Sequence, residues 1–341
     1  MTTDLSTTTQ ADLIDLAGQV ANGYAAAATF ADYRSRKAAN TLDAQRSDLD
    51  TWAAFLCTAT NGADCPTSEV LATKPEAWRG VTWGLVSAFV QWMLREGYAM
   101  STIGRKLATV KKFCRLAVQA GAITVEAGAM IRTVAGYHGK EAKRVDAQRV
   151  KTRQSNKKAE HVKIEPEQAA ALKAQPDTPQ GRRDAVIMAL LLDHGLRVGE
   201  LAALAVTAFD LKAGTFTFYR EKVGKFQTHR MTPDTKRAIA TWLKSGAAPA
   251  MGSLLRASLK SGALGKPGMS ARAITERVTV LGRAIGLMGL SAHDCRHYWA
   301  TRAASKGTDP FALRDAGGWS SLAMPSRYVE AATIANERVI L

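Results

Sequence analysis

Ser291-Ala-His293-Asp294-Cys295-Arg296-His-Tyr-Trp299-Ala-Thr-Arg302 is the stretch that decides how the second half of the chain is read. Ser291 followed three residues later by Asp294 matches a capping box, so a helix begins near Ala292. His293 and Arg296 are three apart and share a face. Cys295, Trp299 and Ala303 form an apolar stripe beside them. Gly307 ends this helix, and Asp309-Pro310 starts another. Downstream come Gly318-Trp319 and then Tyr328, nine residues after the tryptophan. About a hundred residues upstream lies Gly195-Leu-Arg197-Val-Gly-Glu200-Leu201. Between the two, Thr215-Phe-Thr-Phe-Tyr219 alternates like a strand, Lys222-Val-Gly-Lys225 offers a turn, and Thr228–Met231 offers the strand's partner.

Taken singly, each piece has an ordinary reading. The Gly195 segment is a plausible helix junction with Glu200 paired to Arg197. A histidine and an arginine three apart are a common surface pair, and Trp319 and Tyr328 fit a core. Their order and spacing together point to chemistry. Cutting a phosphodiester with a side-chain hydroxyl needs a nucleophile, and a tyrosyl ester is readily reversed because the phenol is a good leaving group. It needs charge at the phosphate, which the forked, permanently charged arginine supplies. It needs a proton for the departing sugar oxygen, for which a lysine ammonium fits. Positioning by hydrogen bonds completes the set. Arg197, Arg296, a hairpin lysine, His293, Trp319 and Tyr328 provide these parts with neither metal nor cofactor.

The 341 residues suffice for two ordinary domains. A net charge of +16 predicts an anionic partner, nucleic acid before a membrane surface. No run approaches the apolar length of a transmembrane span, and the Thr-rich N-terminus lacks the pattern of a secretory signal. Cys57, Cys65, Cys114 and Cys295 show no metal-type spacing and are expected as reduced thiols of a cytoplasmic protein.

Residues 1–22 read as a flexible tail. Residues 23–139 read as all-helical. Apolar residues recur at helical spacing around Trp52 and Phe55, around Phe89 and Met93, and from Ile103 through Leu107, Val110 and Phe113 to Leu116, with Ser101 as a cap. The other faces of this last helix carry Arg105, Lys106, Lys111 and Lys112, expected to face DNA. Residues 140–163 hold nine Lys or Arg and read as a basic linker, with Lys151, Arg153, Lys157 and Lys158 as further DNA contacts. Residues 164–330 form the second domain, in which Arg183–Asp193 is a buried helix ended by Gly195. Residues 331–341 are a docking segment, too short to fold alone, placed either on its own domain or on a neighbouring copy.

These motifs resemble the tyrosine recombinases of the phage integrase family. Gly195–Leu201 resembles the box of the family's first catalytic arginine, the His293–Arg302 stretch the second box, and Gly317-Gly318-Trp319 the third, with Trp where many members have His. The resemblance is strong over 164–330 and looser over 23–138. It implies a mainly α protein: an all-helical, SAM-like core-binding domain plus a mixed, mostly helical catalytic domain with a small antiparallel sheet, together clamping DNA. It implies Arg197 and Arg296 as phosphate clamps, Glu200 in support, His293 in proton transfer or phosphate contact, and Tyr328 as the nucleophile forming a 3′-phosphotyrosyl link without ATP. Family hairpins favour Lys222 as the proton donor; counting back from Pro233 favours Lys225. Cys295 stands where the family usually has Leu. The implied partners are double-stranded DNA bearing recombination sites and three further copies, a tetramer on two duplexes, with a monomer in solution possible. A type IB-like topoisomerase and a non-catalytic DNA-binding protein of the same fold are the alternatives. Integration, transposon movement, dimer resolution and excision all remain open.

Overall fold

The computed structural model describes residues 10–62, 65–148, 161–259 and 261–332. The expected DNA contacts Lys151, Arg153, Lys157 and Lys158 lie outside these residues, as does most of the docking segment. The chain divides into two compact units, residues 1–157 and 158–341.

The first unit is helical throughout its described residues: α1 (Gln10–Ser35), α2 (Ala39–Ala59), α3 (Ser68–Thr73), α4 (Trp83–Arg95), α5 (Met100–Gln119), α6 (Val125–Thr133) and α7 (Gly139–Gln148). Threonines start several of them. Thr67, Thr82 and Thr124 each accept a backbone N–H two or three residues inside the helix. The core is aromatic: Trp52 meets Phe89 edge-on at 4.9 Å and stacks with Trp78 at 6.2 Å. The Trp78 indole N–H donates to the Leu71 carbonyl at 2.8 Å. From α5, Ile103, Leu107, Val110, Phe113 and Leu116 are buried as their spacing predicts. This helix starts at Met100 rather than from a Ser101 cap.

Three expectations need correction here. The polar N-terminal stretch is helical from Gln10, as the first turns of a helix whose later part carries Ala25–Ala28, alanine being the best helix former. Helix α7 occupies the first part of the stretch read as linker. Cys57 and Cys65, expected as free thiols, are joined as a disulfide with their Cα atoms 5.3 Å apart; the loop after α2 brings them together. Cys114 and Cys295 are buried and lie outside that disulfide.

The second unit is built around α9 (Pro179–His194), which follows α8 (Pro166–Lys173). Thr178 caps α9, and its Val186, Ile187, Met188, Leu190, Leu191 and Leu192 are buried. Helix α10 (Val198–Ala202) leads to an antiparallel sheet of order β1-β2-β3: β1 (Phe209–Asp210), β2 (Thr215–Arg220) and β3 (Lys225–Arg230). Alternation in β2 buries Phe216, Phe218 and Arg220 and turns Thr217 outward, where its hydroxyl meets that of Thr228 at 2.7 Å. Then come α11 (Pro233–Lys244), the antiparallel pair β4 (Arg256–Ser258) and β5 (Leu264–Pro267), α12 (Ala271–Ala284), α13 (Ala292–Ser305), α14 (Pro310–Gly317) and α15 (Ala323–Ala332). Ser291 and Asp294 form the expected capping box of α13, and Asp309 caps α14.

Helix α13 has two apolar faces. Ala292 and Cys295 join the large core around α9. Ala300 and Ala304 join a separate small cluster with Leu313 and Tyr328, edged by Trp299, Trp319 and Met324. The fold is thus mainly α with small antiparallel sheets. Among the described residues no helix is long and apolar enough to cross a membrane.

Candidate active site

Gly195 is the hinge on which the site turns. It ends α9 in the left-handed conformation, φ +59°, and an added Cβ would lie 2.3 Å from the Trp299 ring. Only glycine meets both demands. Its carbonyl accepts a bond of 2.5 Å from Arg296, whose other terminal nitrogen donates to the Gly317 carbonyl at 2.5 Å. The guanidinium lies 4.5 Å over the Trp319 ring. Burial, with the charges of Arg197 and Arg220 nearby, lowers the Arg296 pKa to about 10, so it stays charged at neutral pH. Gly195→Ala should cost about 2 kcal/mol or more from the left-handed backbone and the crowded ring, read as a lower urea midpoint.

Arg197 enters the same space from the start of α10. Glu200 is buried and accepts from the Arg197 side chain at 2.7 Å and from its backbone N–H at 2.8 Å. A second Arg197 nitrogen donates to the Gly318 carbonyl at 3.1 Å. Glu200 also holds Arg220, which is fully buried, through contacts of 3.0 and 3.1 Å to one nitrogen. Arg220 donates in turn to the Ala316 carbonyl at 2.6 Å, and Gln227 to that of Asp315 at 2.6 Å. Two guanidinium groups, Arg197 and Arg220, therefore meet one buried carboxylate, and both, like Arg296, are fixed to the backbone at 316–318. Gly318 itself is left-handed, φ +59°, and a Cβ there would lie 2.6 Å from the Arg220 side chain.

Trp319 lies 5.8 Å, centre to centre, from the ring of Tyr328, which α15 carries. Tyr328 is buried, and its hydroxyl lies 3.2 Å from His297 Nδ1. Burial raises the phenol's pKa above its ordinary value, against the opposing charges of Arg296 and Arg327. His293 is exposed, one turn earlier on α13, with its Nε2 3.1 Å from His297 Nε2.

The site thus brings together Arg197, Glu200, Arg296, Trp319 and Tyr328, and His293 through His297. Lys222 and Lys225 stand exposed at the β2–β3 turn. Cys295 is buried in the large core, away from solvent. Among the described residues no group of His, Cys, Asp and Glu is arranged to hold a metal. Residues 163–333 match the phage integrase family, and residues 66–121 match the phage integrase N-terminal SAM-like domain.

The chain belongs to the phage integrase family.

Among curated relatives, tyrosine recombinase XerC of Methylobacterium sp. (strain 4-46) is 29% identical over 338 residues, covering 95% of this chain and 93% of that protein. Tyrosine recombinase XerC of Roseiflexus sp. (strain RS-1) is 28% identical over 178 residues, 52% of this chain and 47% of the relative, so the chain spans about half of that relative's length. Among solved structures, a lambda integrase dimer bound to a COC′ core site superposes with a TM-score of 0.59 at 16% identity, over 88% of this chain and 92% of that one. That likeness speaks to the integrase fold.

Two side chains of this cluster escaped the sequence reading. Arg220 had a signal: it continues the inward face of the alternating strand after Phe216 and Phe218, and a buried arginine demands acceptors. His297 had less, since a histidine next to an arginine is unremarkable until its helix face is known.

On α5 the expected DNA-facing side chains are held within the first unit. Lys106 is corrected: it is buried, with its ammonium 2.6 Å from the Thr51 hydroxyl and 3.5 Å from Asp48. Desolvation lowers its pKa. Arg105 is paired with the same Asp48. Lys111 closes the end of α6, donating to the Arg132 and Val134 carbonyls at 2.7 and 2.8 Å. Lys112 lies 4.5 Å over the Tyr33 ring.

Proposed function

We propose that this protein is a site-specific DNA recombinase that cuts and rejoins strands through Tyr328. The observation that carries this reading is the convergence of Arg197, Arg296, Trp319 and Tyr328 around the Gly317-Gly318 turn, with the charges fixed before substrate arrives. Such preorganised donors stabilise a phosphorane-like transition state without reorganisation. Tyr328 attacks the scissile phosphorus. The Tyr–O–P bond forms, the bond to the 5′-oxygen breaks, and Lys222 or Lys225 gives that oxygen its proton. The 5′-hydroxyl of a partner strand reverses the step, so the phosphodiester's energy is conserved and no ATP is needed. His293, exposed beside His297, contacts the phosphate or takes part in proton transfer.

The partners are double-stranded DNA with recombination sites and further copies of the chain, four around two duplexes. The family match, and the Methylobacterium relative being a tyrosine recombinase, support the DNA partner. The working compartment is the cytoplasm of a bacterium, where the DNA is. Residues 23–139 and 164–330 are the DNA-binding and catalytic domains of this reading. Arg105, Lys111 and Lys112 can still meet phosphate if their internal bonds exchange; binding as a whole should fall steeply with salt.

Incubation with nicked target DNA in excess EDTA tests the reading. A covalent protein–DNA band on a denaturing gel is expected. Its absence with a confirmed target sequence refutes the reading.

The two lysines are separable. Lys222→Ala should slow cleavage by about 10²- to 10⁴-fold on ordinary DNA, the usual worth of a general acid. The rate should recover on DNA with sulfur at the bridging 5′ position, which leaves without a proton. Rescue of Lys225→Ala and not of Lys222→Ala would transfer the role to Lys225.

A further inference from the structure

His297 is held on every side. The His161 ring, from the segment before α8, stacks on it at 5.1 Å with 11° between planes. His293 meets it edge-on at 4.6 Å and Tyr328 at 5.4 Å. Its two nitrogens address different partners: Nδ1 the Tyr328 hydroxyl at 3.2 Å, Nε2 the His293 Nε2 at 3.1 Å. A neutral imidazole has one donor and one acceptor. If Nδ1 accepts from the phenol, Nε2 carries the hydrogen and donates to His293. This ring orders three groups into a line from a buried hydroxyl to an exposed imidazole.

We infer that His297 is a proton conduit between Tyr328 and His293. The inference rests on Tyr328 being the nucleophile. As the Tyr328 oxygen bonds to phosphorus, its proton passes to His297 Nδ1, and the proton on His297 Nε2 passes to His293 Nε2. The positive charge ends on His293, in solvent and beside the phosphate. During rejoining both protons return, and the phenol leaves neutral. The division of labour has a physical reason. Burial, with His293 and His161 beside it and Arg296 adding to them, lowers the His297 pKa to about 4, against the favourable charge of Asp294. A ring so placed holds an extra proton poorly, yet passes one on without ever bearing net charge.

The test is His297→Gln. Glutamine's amide can accept from the phenol and donate to His293, but it cannot hand a proton through. Strand cleavage by a purified full chain on nicked DNA should slow by about 10²-fold or more at neutral pH, with DNA binding and melting temperature unchanged. The deficit should shrink as pH climbs toward the phenol's own pKa, because hydroxide then removes the proton directly. Cleavage by His297→Gln at the wild-type rate overturns the conduit. A loss that stays constant with pH also overturns it, since a merely positioning ring would give that result. A wild-type control that forms no covalent adduct would instead sink the strand-transfer reading itself. Should the variant fail to fold, the wild-type protein still decides: ¹⁵N spectra of histidine-labelled protein, with His297 assigned through its contact to the Tyr328 ring, should show Nε2 protonated and Nδ1 bare. The opposite tautomer would overturn the proposal.

Discussion

Tyr328→Phe abolishes the covalent protein–DNA adduct and leaves DNA binding close to wild type. Only one oxygen is removed. The ring keeps its place against Trp319 and the alanines of α13. The hydrogen bond to His297 is lost, worth about 1 kcal/mol net, so the fold survives. Gel-shift titration and a denaturing gel of the same samples check both halves. An adduct that persists would move the nucleophile elsewhere. Tyr298 is then the first suspect, although it packs against the large core.

Arg296→Lys is the second large effect, although the charge is kept. An ammonium on a flexible stem cannot fork to the Gly195 and Gly317 carbonyls, which belong to different segments, and lie flat on Trp319 as well. Each buried carbonyl left without a donor costs about 1–3 kcal/mol, so the urea midpoint should drop. Cleavage should fall by about 10²- to 10³-fold, as when one preorganised donor is lost from an anionic transition state. Retained cleavage with a lowered midpoint would make Arg296 a structural bolt alone, leaving phosphate binding to Arg197.

Much of the second unit was legible because its signals are local. Ser291 and Asp294 announce α13, Asp309-Pro310 announces α14, and the alternation of Thr215–Tyr219 announces β2. The site was legible only as a set, since no one of its residues says more than core or surface. What stayed hidden depended on which side chain meets which across the fold. Arg220 joins Glu200 and Ala316 across segments that sequence cannot align. His297 acquires meaning only when α15 delivers Tyr328 to it. Lys106 was misread for a different reason. It lies three residues after Ile103 and four before Val110, on the buried face by simple periodicity. Its charge argued for the surface, and the buried Asp48 on α2 outweighed that. The Cys57–Cys65 pair was invisible because two cysteines eight residues apart match neither a metal-site nor a redox-motif spacing.

Tyr328 lies in a small cluster of its own, 6% exposed, apart from the core around α9. Losing packing in one cluster therefore need not disturb the other. A cavity cut at Leu313, on the tyrosine's side, loosens the nucleophile's seat while the core around α9 keeps its own contacts. Aim and endurance are thus entrusted to different parts of the same unit.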